Sequence, residues 1–362
     1  MLLVGIAVLA FVIFLYSGIA EWLGRWSISM PIVFVLFGLL LGRSGLNLLT
    51  LTLNTEGMKE LTEITLALLL FADASTLDLR KVSQDAGLPA RLLLIGLPLT
   101  LVLGALLAFG MFPGEGLAVA AGLGSILAPT DAALGLPIFN NPNVPERIRR
   151  ALNIESGLND GIATLFVVLF VSIAVGEHQP HDTWLITAAT QIGLAAVVGS
   201  LVGISGGWLL GQTVLRKWTA ETWESIAILS LGLSSYLISL AVGGNGFIAA
   251  FIAGIVFGAV TKSHFAKTTE MTEESGSFLS LIVWTIFGAV LVPIAWEHTA
   301  GLRPIVYAIL SLTVIRMIPV ALALVRTRLR RDTVALMGWF GPRGLASVVF
   351  MILALLDFGE VQ

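Results

Sequence analysis

Residues 151–170 read ALNIESGLNDGIATLFVVLF. A helix needs about 20 predominantly apolar residues to cross a bilayer core, and this stretch has that length. It nevertheless carries Glu155 and Asp160. An ionisable side chain at the centre of a membrane helix costs about 2.5–3.5 kcal/mol on insertion scales. Two acids in one such helix therefore point to a use. Ser156 and Asp160 are four apart and share one helix face. Glu155 and Asn159, also four apart, share a neighbouring face turned by about 100°. The first face can hold a small cation, and the second can hold a buried ion pair through Glu155. Carboxylate, hydroxyl and carbonyl oxygens suit a hard monovalent cation better than a transition metal.

The rest of the chain is of the same kind. Of 362 residues, 57% are hydrophobic and 12% charged, about half the charge of an average soluble domain. The 38 glycines suit membrane helices, which pack through small residues. A net charge of −3 gives no reason to expect nucleic acid, and with no cysteine disulfides, thiolate catalysis and Cys-based metal sites are excluded. The four histidines, His178, His181, His264 and His298, fall in or beside polar connections. His178 and His181 read as solvated loop residues rather than sharers of an ion. The apolar first twenty residues lack a basic n-region and an A-x-A site, so they read as a first span rather than a cleaved leader.

Twelve candidate spans follow: 1–20, 29–42, 60–77, 89–112, 115–138, 151–175, 184–214, 223–242, 245–260, 277–297, 302–325 and 334–357. No polar stretch is long enough for a soluble domain. Of the 20 Lys and Arg, fifteen fall in connections after odd-numbered spans and three after even-numbered ones. The positive-inside rule then puts the odd connections in the cytoplasm, with the N-terminus and residue 362 outside.

Six ionisable candidates sit well inside spans: Asp73, Asp131, Glu155, Asp160, Arg316 and Arg343. Span 5 reads GLGSILAPTDAALGLP (122–137). Pro129 removes a backbone donor and disfavours helix at Ala128, which marks a discontinuous helix. Carbonyls freed near Pro129 and Thr130 could ligate a cation, with Asp131 supplying charge at the break. A simple proline kink with a capping Asp is the bland alternative. Span 12 repeats the device in GWFGPRGLASVVF (338–350), where Gly341, Pro342 and Gly344 surround Arg343. Paired interrupted helices in two halves point to a transporter site built from inverted repeats. Arg316, in SLTVIRMIPVAL (311–322), has no acid in its own span. Glu155 is its leading partner, because an unpaired buried charge is costly.

In order, APTD, ESGLNDG, the intramembrane Arg316 and GPRGLAS resemble the NhaP/NHE branch of the monovalent cation:proton antiporters over essentially the whole chain. The resemblance implies an all-α, polytopic, inverted-repeat fold with two crossing discontinuous helices, in one transmembrane domain over 1–362. The first repeat is 1–175, the linker span 184–214 and the second repeat 223–362. It implies exchange of Na+ (K+ or Li+ being alternatives) for H+, no cofactor, a homodimer in the lipid bilayer, and a multi-pass protein of the bacterial inner membrane. Carried over residue by residue, Asp160 is the ion- and proton-binding carboxylate. Asp131, Thr130 and Ser156 complete the cation shell. Glu155 and Arg316 form a structural pair, and Arg343 is the charge at the second break. Asn159 makes the Asn-Asp pair that goes with electroneutral exchange. Asp73, in LLLFADAS (68–75), stands where relatives often have a glutamate, and is an accessory residue.

The family fold has six spans after the linker, and only five are found here. The expectation is that the thirteenth, counterpart of the Asn-Asp helix, is missing. Three rival readings remain. An electrogenic exchanger is disfavoured by Asn159. A channel would line a pore with the same polar residues. An intramembrane aspartyl protease would need a G-x-G-D motif, which neither ESGLNDG nor APTDAALG supplies.

Overall fold

The computed structural model describes residues 2–26, 28–49, 56–77, 87–131, 133–135, 138, 141–176, 184–262, 265, 267–298 and 301–359. His178, His181 and His264, named above, lie outside them, as do Arg80 and Lys81 of the basic connections, and His298 is described in its backbone only. Among the described residues every regular element is helical. Seven helices are long and apolar enough to cross a membrane, and four more apolar helices are shorter.

In chain order the helices are α1 Leu2–Arg25, α2 Met30–Leu41, α3 Glu56–Thr76, α4 Gly87–Met111, α5 Gly116–Ile126, α6 Glu146–Gly176, α7 Trp184–Leu215 and α8 Glu221–Ala241. There follow α9 Gly246–Thr261 and α10 Glu270–Ile286, the latter continued by a π turn (Phe287–Leu291) into Val292–His298. The last four are α11 Arg303–Leu312, α12 Val314–Ala323, α13 Arg331–Trp339 and α14 Leu345–Gly359. A second π turn, Leu92–Gly96, lies within α4.

The chain divides into two compact units, one of Met1–Thr65 with Gly276–Leu302 and one of Leu66–Ser275 with Arg303–Gln362. In the first, α2 lies against the π turn of α10. A Cβ at Gly38 would strike the Thr285 carbonyl and approach Ala289 N to 2.8 Å. Small residues permit the two backbones to meet, the usual route to tight packing in lipid. Met58, Ile286, Ala289 and Val290 fill the core beside that contact.

The second unit holds every intramembrane charge named above. Leu97, Leu101 and Ala128 pack with Ile162, Phe166 and Phe170, joining α4, the end of α5 and α6. Ala108, Ala120, Tyr307 and Ile315 join α4, α5, α11 and α12. Leu88, Leu92, Ile148, Leu152, Val320 and Met337 join the starts of α4 and α6 to α12 and α13. Outward faces are apolar too: Leu201, Trp208 and Leu209 of α7 are all exposed, as a lipid-facing surface requires.

Three elements differ from the sequence reading. The span expected over 115–138 is helical only to Ile126, with a short 3₁₀ turn at Ala133–Gly135. The helix expected from 151 begins at Glu146, because the Glu146–Arg150 pair, four apart, supports an extra turn. The span expected over 302–325 is two helices, broken at Thr313, whose φ of −120° and ψ of −92° are not helical.

Candidate functional site

Both interrupted spans lie in the second unit, and their breaks meet. The Asp131 amide donates to the Pro342 carbonyl at 3.0 Å. At the end of α5, carbonyls lose their helical donors. Arg343 supplies replacements, with Nη1 donating to the carbonyls of Ala128 (2.7 Å) and Pro129 (3.0 Å). Ser347 Oγ donates to the Ile126 carbonyl at 2.6 Å. At the start of α14 the opposite problem arises, since amides are left without acceptors. Asp131 Oδ2 accepts from the Leu345 amide at 3.3 Å, and Oδ1 accepts from the Leu134 amide at 3.0 Å. A cation therefore sits at a helix C-terminus and an anion at a helix N-terminus, the favourable sense for both helix dipoles. Gly344 makes this possible, because a Cβ there would collide with the Asp131 carboxylate.

This geometry changes the reading of the breaks. The carbonyls expected to be available near Pro129 accept from Arg343, and both Asp131 oxygens accept backbone N–H groups. The capping aspartate treated as the bland alternative is present, and it caps across two helices.

Glu155 and Arg316 are both almost completely buried, and they form a two-pronged pair of 3.0 Å (Nη1–Oε1) and 3.1 Å (Nη2–Oε2). Arg316 Nη2 also reaches the Phe340 carbonyl at 3.4 Å. The parallel fork is the strong form of an arginine–carboxylate contact. The Arg316 amide donates to Thr313 O at 3.2 Å, so the pair stands just beyond the break between α11 and α12. That break also leaves the Ser311 carbonyl for Arg343 Nη2, at 2.8 Å. Neither the Thr313 break nor Ser347 was expected. Thr-Val-Ile, a β-branched run of weak helix formers, is the one local hint of the first.

Between pair and crossing lies a polar bridge. Asn159 Nδ2 donates to Thr130 Oγ1 (2.6 Å) and to Glu155 Oε1 (3.4 Å). Its amine must face Glu155, since an ionised carboxylate only accepts. Thr130 Oγ1 and Ser156 Oγ are 3.3 Å apart. Asn159, Thr130 and Ser156 are all buried. The two faces of α6, distinct in the sequence reading, are thus joined through Thr130.

Asp160 and Asp73 stand apart from these partnerships. Both are half-buried. Asp131, Asp73 and Glu155 lie within Coulombic range of Asp160. Among the described residues no hydrogen-bond donor and no Lys or Arg lies against either carboxylate, and no three His, Cys, Asp or Glu side chains converge as a metal site.

A family model described as "Sodium/hydrogen exchanger, transmembrane" matches residues 7–359. The chain belongs to the sodium/hydrogen exchanger family. A K(+)/H(+) antiporter NhaP2 of Shewanella oneidensis is 36% identical over 138 residues, 38% of this chain and 23% of that protein. A K(+)/H(+) antiporter NhaP of Alkalimonas amylolytica is 23% identical over 94% of this chain and 59% of its own length. The Na(+)/H(+) antiporter ApNhaP of Aphanothece halophytica is 25% identical over 80% of this chain and 57% of its own. The chain thus spans at most about three-fifths of these curated relatives. The sodium proton antiporter MjNhaP1 of Methanocaldococcus jannaschii superposes with a TM-score of 0.76 at 20% identity, covering 99% of this chain and 91% of that one. This exchanger-family chain therefore shares the MjNhaP1 fold, with its broken helices crossing as described.

Proposed function

We propose that the chain exchanges a monovalent cation for a proton, with Asp160 binding one or the other but never both. One observation carries the reading. Of the four intramembrane carboxylates, the fold consumes two, Glu155 on Arg316 and Asp131 on backbone amides, and leaves Asp160 and Asp73 open. An open carboxylate inside a membrane protein is costly when charged and bare. It therefore takes a proton or a cation before the site moves, which couples the two flows. In this reading the Ser156 and Thr130 hydroxyls, 3.3 Å apart, and the Asn159 carbonyl oxygen serve as further ligands, and Asp73 is the accessory acid.

The Glu155–Arg316 pair, with Asp131 on backbone amides and Arg343 on backbone carbonyls at the crossing, holds the frame around that site. Asn159 before Asp160 leaves one open acid on this helix, in keeping with electroneutral exchange. Two halves, 1–175 and 223–362, flank the linker span as inverted repeats. The chain crosses the membrane repeatedly, with its N-terminus outside, and a second copy is its partner. Na+ is the first candidate for cargo. The two relatives named as K(+)/H(+) antiporters favour K+ as the second.

The test is a pH-dye flux assay in proteoliposomes with Na+, K+ or Li+ added in turn, alongside a membrane-potential dye. Cation-driven proton movement that leaves the potential unchanged supports the reading. Proton movement independent of all three cations would sink it, and a potential generated by exchange would overturn the electroneutral part.

A further inference from the structure

The three segments that close the core of Leu88, Ile148, Leu152, Val320, Leu324 and Met337 carry eight arginines and no lysine. They are Arg91 on α4, Arg147, Arg149 and Arg150 at the start of α6, and Arg326, Arg328, Arg330 and Arg331 between α12 and α13. The acids in these segments are Glu146 and Asp332, and each is matched to an arginine, Arg150 and Arg330. The basic connections around α8 and α10 are different. There Arg216, Lys217, Lys262 and Lys267 mix with Glu221, Glu224, Glu270, Glu273 and Glu274, and Lys267 lies 4.0 Å from Glu221. Both groups follow odd-numbered spans and so share one side of the membrane. The connections around α8 and α10 are balanced in charge there, and the other three segments make a strongly cationic arginine face.

The loop after α12 is held in place. Arg91 Nη1 donates to the carbonyls of Ala323 (3.2 Å) and Val325 (3.0 Å), and Thr327 Oγ1 donates to the Leu324 carbonyl at 2.7 Å. Arg326 and Arg328 have φ of 67° and 59°, a left-handed backbone that non-glycine residues seldom adopt. Arg326, Arg328 and Arg331 are exposed. They follow directly on a candidate span that ends at Ala323, and residues just past the end of a span meet the headgroup layer. A planar guanidinium fork matches phosphate oxygens in a way an ammonium cannot.

A track leads from this face into the membrane. Arg331 and Asp332 head the exposed stripe of α13, and Ala335 and Trp339 continue it as its apolar part. From Arg331 to Trp339 the helix rises about 12 Å, close to one leaflet's hydrocarbon depth of about 15 Å. At its end is a cavity of about 470 Å³ lined by Ile309, Leu312, Thr313, Trp339, Phe340 and Pro342 among others. The small Ala335 side chain leaves room along the stripe.

We propose that the arginine face binds the phosphate of an anionic phospholipid whose acyl chain follows the α13 stripe into this cavity. The occupant would then touch the Phe340 stretch, whose carbonyl holds Arg316, and so bear on the exchange site. Phosphate, bilayer depth and an apolar tail are the three features the face and track require together.

The test reconstitutes the full chain in mixed phosphatidylglycerol and phosphatidylcholine and counts lipids retained on extraction by native mass spectrometry. Arg326→Gln with Arg328→Gln leaves six arginines on this face, so orientation by positive charge is kept. Ala335→Trp blocks the stripe with all arginines present. The expected result is a preference for phosphatidylglycerol of about five-fold or more in the wild type, lost in the double variant, and a lower lipid count with Ala335→Trp. No preference in the wild type, or an unchanged one in the double variant, overturns the proposal. Displacement of the lipid by inorganic phosphate that is itself retained assigns the face to soluble phosphate and overturns it too. Retention is weighed without transport, so this outcome is separate from that of the exchange reading. A flux that rises with phosphatidylglycerol in the wild type alone supports the coupling to Arg316. An unchanged flux refutes that coupling.

Discussion

Glu155 and Asp160 sit five residues apart on α6, yet the fold treats them in opposite ways. Glu155 meets a guanidinium fork at 3.0 and 3.1 Å and an amide from its own helix. Asp160 meets no donor among the described residues. The same division separates Asp131, bound to the Leu134 and Leu345 amides, from Asp73. A charge that the fold partners is architecture, whether buried like Glu155 or half-buried like Asp131. A half-buried charge that it does not partner has to find its partner in what it binds.

The widest gap should appear at Asp160. Asp160→Asn is expected to bring cation-driven proton flux to background in proteoliposomes, with thermal stability and helix content unchanged. Residual flux at wild-type rate would erase the contrast. Glu155→Ala should do the reverse and damage the fold. Removing one partner of a buried pair leaves the other charge stranded, at about 3–5 kcal/mol. The readout is melting temperature and yield in detergent, and Glu155→Leu with Arg316→Met should recover much of the loss.

A smaller effect is expected at the crossing. Asp131→Ala removes the acceptor for two backbone amides, a loss of about 1–3 kcal/mol for groups left unsatisfied, together with the negative charge at the α14 N-terminus. Both stability and flux should fall, which would class Asp131 with the frame. A flux defect at full stability would class it with Asp160 instead. Asp73→Asn should weaken apparent cation affinity a few-fold without abolishing exchange, read as a shifted half-saturation in the same assay. The exposed Arg25–Glu21 pair sets the floor. Arg25→Gln should change stability by less than about 1 kcal/mol, as exposed pairs do.

Much of this site was legible before any coordinate. The two Pro/Gly interruptions, the acids and arginines beside them, and Arg316 in want of a partner all stand out against apolar sequence. The helix break at Thr313 did not, because TVIRMIP contains only a weak local signal and the break is stabilised from outside, by Arg343 on the Ser311 carbonyl. The roles within the breaks were also hidden. Freed carbonyls at Ala128 and Pro129 look alike in sequence whether they face an ion or an arginine.

That this chain crosses a membrane many times, and carries charge where charge is expensive, can be read from its amino acids alone. Bilayer thickness and the backbone's need for internal hydrogen bonds act on each segment locally, so they are written in runs of about 20 residues. Which charges are spent on the fold depends on how the helices cross. Arg316 finds Glu155 across 161 positions, and Arg343 finds Ala128 across 215. Partners so distant are chosen by which helices cross, and no pattern within a single span records that choice.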